Sequence, residues 1–85
     1  MDKNVRHRCF LKHMAKATQL KYGLDKPSVG IRCAYAFVHE IGPDWTPDQV
    51  AAKGRLFWLQ APNLSKKGVA YIEEWLRERG IGFTD

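Results

Sequence analysis

The residues best placed to do chemistry are a lysine pair beside a turn. Ser65-Lys66-Lys67-Gly68 follows Pro62-Asn63-Leu64 and opens an apolar-patterned run through Val69 and Ile72. The pattern predicts a tight turn and then the start of a helix. A helix N-terminus carries unpaired N–H groups and a partial positive charge. The backbone amides from Ser65 to Gly68 would hold one phosphate group, and Lys66 or Lys67 would add a full charge. Gly68, lacking a side chain, would let a ligand backbone come close. Lysines in a first turn oppose the helix dipole, so local stability does not account for them. The plainer alternative is an αα-hairpin that joins two packing helices and leaves its lysines exposed.

A second group lies in the first third of the chain. The 85 residues carry a formal charge of +5, and residues 1–26 hold seven basic side chains against two acidic ones, so the whole excess sits there. Arg8, Lys12 and Lys16 are spaced four apart and share one face of a helix. His7 and His13 would add charge at lower pH. Such asymmetry fits a polyanion or an acidic protein partner, or a solvated face that only keeps the chain soluble.

Other constellations are weaker. Cys9 and His13 are at i, i+4, a spacing that suits two metal ligands, with His7, Cys33 and His39 available. No CxxC pair exists, and both cysteines fall in or beside apolar stripes, where a thiol behaves as a small hydrophobe. No metal or cofactor is expected. Glu73 and Arg77 form an i, i+4 surface pair. A Cys33–His39 nucleophile pairing has no motif around it, so no catalytic residue and no enzymatic activity is expected.

The elements that must position these residues are helices. A chain of 85 residues, 45% hydrophobic and 27% charged, supports one core and one domain, 1–85. It excludes a two-lobed enzyme. No apolar run approaches a membrane span, the start is not a secretory signal, and two cysteines make no disulfide framework. The expected setting is the cytoplasm. A first helix is predicted over 4–22, with Val5, Cys9 (with Phe10), Met14 (with Leu11), Ala17 and Leu20 as its stripe and Gly23 as its end. Ser28 would cap a second helix running to about Ile41, with Ile31, Ala34, Tyr35 and Val38 as its apolar stripe and Phe37 and Ile41 widening it. Thr46, Pro47 and Asp48 start a third that Gly54 breaks, Arg55 to Gln60 make a fourth, and Ser65 to Arg79 a fifth closed by Gly80. Trp58 and Trp75 are expected to pack together. Trp45 would staple the third helix against Val50, and one of the three tryptophans would be free to anchor a partner. The fold class is all-α, a compact bundle of about five short helices.

The run Pro62-Asn63-Leu64-Ser65-Lys66-Lys67, followed by Val69 and Ile72, resembles the helix-hairpin-helix in the C-terminal domain of the bacterial RNA polymerase alpha subunit, which reads Pro-Asn-Leu-Gly-Lys-Lys-Ser there. Upstream, Arg32-Cys33-Ala34-Tyr35-Ala36-Phe37 resembles that family's Arg-Ser-Ala-Asn-Cys-Leu. The resemblance spans about residues 28–82 and leaves the basic N-terminal helix (1–26) outside. It implies DNA contacts along the minor groove and backbone by Arg32, Asn63, Ser65, Lys66, Lys67 and Gly68. Tyr35 stands where the family has a contacting asparagine, Ser65 where it has the hairpin glycine, and Gly68 where it has a serine.

The resulting expectation is a small DNA-binding protein of bacterial or phage transcription regulation, docking phosphates through its hairpin and its Arg8/Lys12/Lys16 face. It would act as a monomer or weak homodimer away from membranes, and RNA polymerase or a transcription factor is a further candidate partner. The alternative is a phage or mobile-element interaction module that binds a host protein such as RNA polymerase without DNA. The two diverge on whether the basic face is coplanar with the hairpin.

Overall fold

The computed structural model describes the backbone of residues 3–62 and 64–84, and the side chains of that range from residue 10 onward. Five helices follow in order: α1 Lys3–Tyr22, α2 Val29–Glu40, α3 Pro47–Lys53, α4 Arg55–Gln60 and α5 Lys66–Glu78. Among the described residues there is no strand, and no helix is long and apolar enough to cross a membrane.

Local chemistry explains where the helices begin and end. Thr46 accepts the Gln49 N–H, and the Gln49 side chain accepts the Thr46 N–H, a complete capping box with Pro47 in the first turn. Ser65 caps α5 by accepting the Gly68 N–H at 3.2 Å. Gly23 ends α1 at φ +68° and Gly54 separates α3 from α4 at φ +86°, a region that only glycine enters without steric cost. Ser28 departs from its expected role. It sits at φ 67° and makes no side-chain cap, because a cap needs extended backbone to aim its oxygen at the first turn. The Gly30 N–H is taken instead by the Lys26 carbonyl at 2.8 Å.

α1 packs along α2, and one glycine sets how closely the turn between them approaches α2. A Cβ on Gly30 would stand 2.1 Å from the Leu24 carbonyl oxygen. That carbonyl is held by the Gln19 side-chain amide at 2.9 Å. The face α1 buries is Leu11, Ala15 and Thr18, with Met14 and Tyr22 partly covered. This corrects the predicted stripe: Ala17 is exposed and Leu20 is 75% exposed. α1 has apolar residues on more than one side, and packing on α2 covers the side that carries the small residues Ala15 and Thr18. The end of α1 is tied to α5. The Tyr22 carbonyl accepts from Trp75 Nε1 at 3.0 Å and from the Arg79 guanidinium. A cation against the last carbonyls of a helix is favourable.

The core centres on Phe37. Its ring lies 4.8 Å from Trp45, 5.0 Å from Trp58 and 6.1 Å from Trp75. Trp58 and Trp75 therefore meet through Phe37, where direct packing was expected. All three tryptophans are buried, so none is left as a partner anchor. Trp58 Nε1 donates to the Val50 carbonyl at 2.9 Å, whereas Trp45 Nε1 has no acceptor among the described residues. The Glu73–Arg77 pair forms at 3.5 Å, with Arg55 adding a second contact at 3.7 Å. The C-terminal segment returns to α3 through Thr84, whose N–H donates to the Ala51 carbonyl.

Candidate nucleic-acid interface

Arg32 and Tyr35 lie one turn apart on α2, on the side that flanks α1. Together with Lys12, Ala15 and Lys16 of α1 and Ile31 of α2 they line a groove of about 360 Å³. Among the described residues, no acidic side chain lines it. Lys12, Lys16 and Arg32 are exposed, and none makes an ion pair with a described residue. Between them lie the half-buried Ile31 and Tyr35, over the fully buried Ala15.

Arg32 and Tyr35 also form the wall of a second hollow, of about 200 Å³, together with Ala36, His39, Glu40 and Pro62. Pro62 belongs to the turn between α4 and α5. One pair of α2 side chains thus lines both the groove that holds the α1 lysines and the hollow that reaches that turn. Among the described residues, Glu40 is the only acid lining either hollow, and its carboxylate sits 3.1 Å from His39 Nδ1.

The start of α5 differs from expectation in how its backbone is used. The Gly68 N–H is held by Ser65 Oγ, and the Gly68 carbonyl faces Cys33 Sγ at 3.9 Å. Gly68 is buried, and a Cβ there would lie 3.3 Å from Leu64 Cδ2. Its missing side chain makes room for Leu64, so Gly68 is neither an open donor nor a point of ligand approach. Lys66 and Lys67 are exposed, and their amides have no acceptor among the described residues. α5 has no acid in its first turn to offset them. Ser65 is exposed, with its hydroxyl oxygen turned to its own helix. Asn63 lies outside the described residues, as does the side chain of Arg8; the backbone of Arg8 continues α1.

The cysteine and histidine candidates do not converge. Cys33 is fully buried, and burial pushes its thiol up to about 12. A thiol held neutral in this way is a packing group, not a nucleophile or a metal ligand. His39 points to Glu40 at the surface, and His13 is exposed. His7 and Cys9 have side chains outside the described residues. Among the described residues, no three His, Cys, Asp or Glu side chains gather around a point.

The residue that sequence reasoning missed is Tyr35. It was visible only as part of an apolar stripe and as a departure from a family pattern. Its place in the lining of both hollows depends on the α1–α2 register, which no local pattern encodes. No protein family, no curated protein and no solved structure matches this chain.

Proposed function

We propose that this chain is a small nucleic-acid-binding protein that docks DNA mainly through backbone phosphates, and that it acts in transcription regulation in a bacterial or phage cytoplasm. The setting rests on the resemblance to the polymerase alpha domain. The binding reading rests on one observation: Lys12, Lys16 and Arg32 line one groove with no acid among its described lining residues, and Arg32 also lines the hollow that reaches Pro62 in the turn before α5. Phosphate contacts position a protein on nucleic acid without reading sequence. Exposed, unpaired lysines and an arginine are the groups that make such contacts, and their binding is strongly salt-dependent.

The test is fluorescence anisotropy of a labelled duplex at two salt concentrations, with Lys66→Ala and Lys67→Ala combined. Affinity should fall alike on all duplex sequences, and the slope of log K against log salt should flatten by about 2. An unchanged slope would remove these lysines from the interface. A protein-interaction reading is favoured by a different feature, the exposure of Leu56 (64%) and Leu59 (36%) on α4. Absence of duplex binding at low salt, together with co-purification of a host RNA polymerase that Leu56→Glu abolishes, would decide for that reading.

A further inference from the structure

We propose that the groove between α1 and α2 seats an unpaired base of a single-stranded nucleic acid, with Tyr35 against the base and Lys12, Lys16 and Arg32 on the flanking phosphates. This rests on the phosphate-binding reading above and specifies the strand state it prefers.

The groove has more than phosphate docking requires. A purely phosphate-binding surface needs cations and donors, and has no use for the apolar Ile31 and Tyr35 that line the groove with these three cations. A paired duplex keeps its bases stacked inside and would leave those side chains bare. An acidic peptide would satisfy the cations, but a peptide lying in the groove must also satisfy its own N–H and C=O groups. The groove offers it Ile31 and the ring of Tyr35, with lysine and arginine stems. A base has two flat apolar faces that need no hydrogen-bond partner, while its polar edges can stay toward the rim. Cations along a groove combined with an aromatic platform are the general means of holding single strands.

The spacing agrees. Lys12 and Lys16 are one turn apart on α1, about 6 Å along the helix axis, of the order of the step between successive phosphates on an extended strand. Arg32 stands across the groove on α2, where it can take the phosphate on the other side of the base. Its guanidinium can also stack on the base, as a lysine cannot.

The experiment compares labelled oligothymidylate and oligouridylate with a duplex of equal length, by anisotropy at low salt, for the wild type, Tyr35→Leu and Tyr35→Phe. Leucine keeps apolar volume and removes the π-face; phenylalanine keeps both. The wild type should bind a single strand more tightly than the duplex. Tyr35→Leu should weaken single-strand binding about 10-fold, a larger factor than any loss of duplex binding, and Tyr35→Phe should restore it.

Duplex binding with no single-strand preference and no selective effect of Tyr35→Leu overturns the groove assignment and leaves the phosphate-docking function standing. Absence of binding to all three probes overturns both. An acidic phenylalanine-containing peptide that binds in a Tyr35-dependent way, where the single strands do not bind, also overturns the base assignment. Thermal melts of each variant separate loss of the groove from loss of the fold, and rescue by Tyr35→Phe is an outcome that a merely destabilised Tyr35→Leu protein would not mimic at constant melting temperature.

Discussion

The start of α5 and the groove between α1 and α2 are opposite cases. The first has a recognisable local pattern, Pro62 through Gly68, and the structure finds part of its backbone already engaged: Ser65 holds the Gly68 N–H, and Leu64 fills the space above Gly68. The second has no motif. Its residues come from positions 12–16 and 31–35, and it leaves three cations without partners among the described residues. A capped helix start is a stable helix start, and each capping bond removes a donor from any incoming phosphate. What remains at α5 is two amides and two lysine side chains. The groove holds fewer backbone donors but joins charge to apolar side chains. Motif strength and ligand-binding capacity are therefore separate properties, and here they occupy neighbouring but different residues.

Substitutions at three positions break or sharpen that contrast. The largest effect belongs to Gly30→Ala. Its Cβ would meet the Leu24 carbonyl at 2.1 Å, and a backbone atom cannot yield as a side chain can. The turn after α1 must move off the start of α2, at a cost of about 3 kcal/mol, lowering the melting temperature by roughly 15 °C for a chain this size. Single-strand binding at the groove should fall with it, while the contribution of Lys66 and Lys67 to the salt slope persists. Retention of both melting temperature and groove binding would show that the approach of that turn to α2 is looser than described.

Ser28→Gly acts in the same region with the opposite sign. A serine at φ 67° carries a steric cost that glycine does not. Ser28 makes no cap that the change would remove. The variant should gain about 1 kcal/mol in chemical denaturation at unchanged m-value. A loss of stability would mean that Ser28 makes a contact beyond its backbone.

The smallest effect is expected at Gly68→Ala. The added methyl presses on Leu64 Cδ2 at 3.3 Å, the end of a flexible side chain, while alanine gains about 1 kcal/mol in helix propensity. Stability should change little, and duplex affinity should match the wild type. A selective loss of duplex affinity in a fully folded Gly68→Ala protein would restore Gly68 as a point of ligand approach and reverse the comparison.

Much of the fold was legible residue by residue. Gly23, the Thr46–Pro47–Gln49 start, Gly54, Ser65 and Gly80 mark boundaries that the structure places within a residue or two of expectation. The Glu73–Arg77 pair was readable for the same reason: both partners lie one turn apart on one helix. The candidate site was legible in part. Lys12, Lys16, Arg32, Lys66 and Lys67 are exposed as expected, whereas Gly68 turned out to be buried. Tyr35 acquired its place only through packing.

The sequence by itself determined the all-α class, the number of helices, their ends and the concentration of positive charge in the first third. Those properties depend on interactions across four residues or fewer and on composition. Only the tertiary structure decided that α1 buries Leu11, Ala15 and Thr18 and leaves Leu20 outside, that Trp58 and Trp75 meet through Phe37, and that Arg32 and Tyr35 line both the groove of the α1 lysines and the hollow at the α4–α5 turn. α1 has apolar residues on more than one side, so its own pattern does not choose among them. The choice is made where α1 packs along α2, and that packing joins residues that no local rule connects.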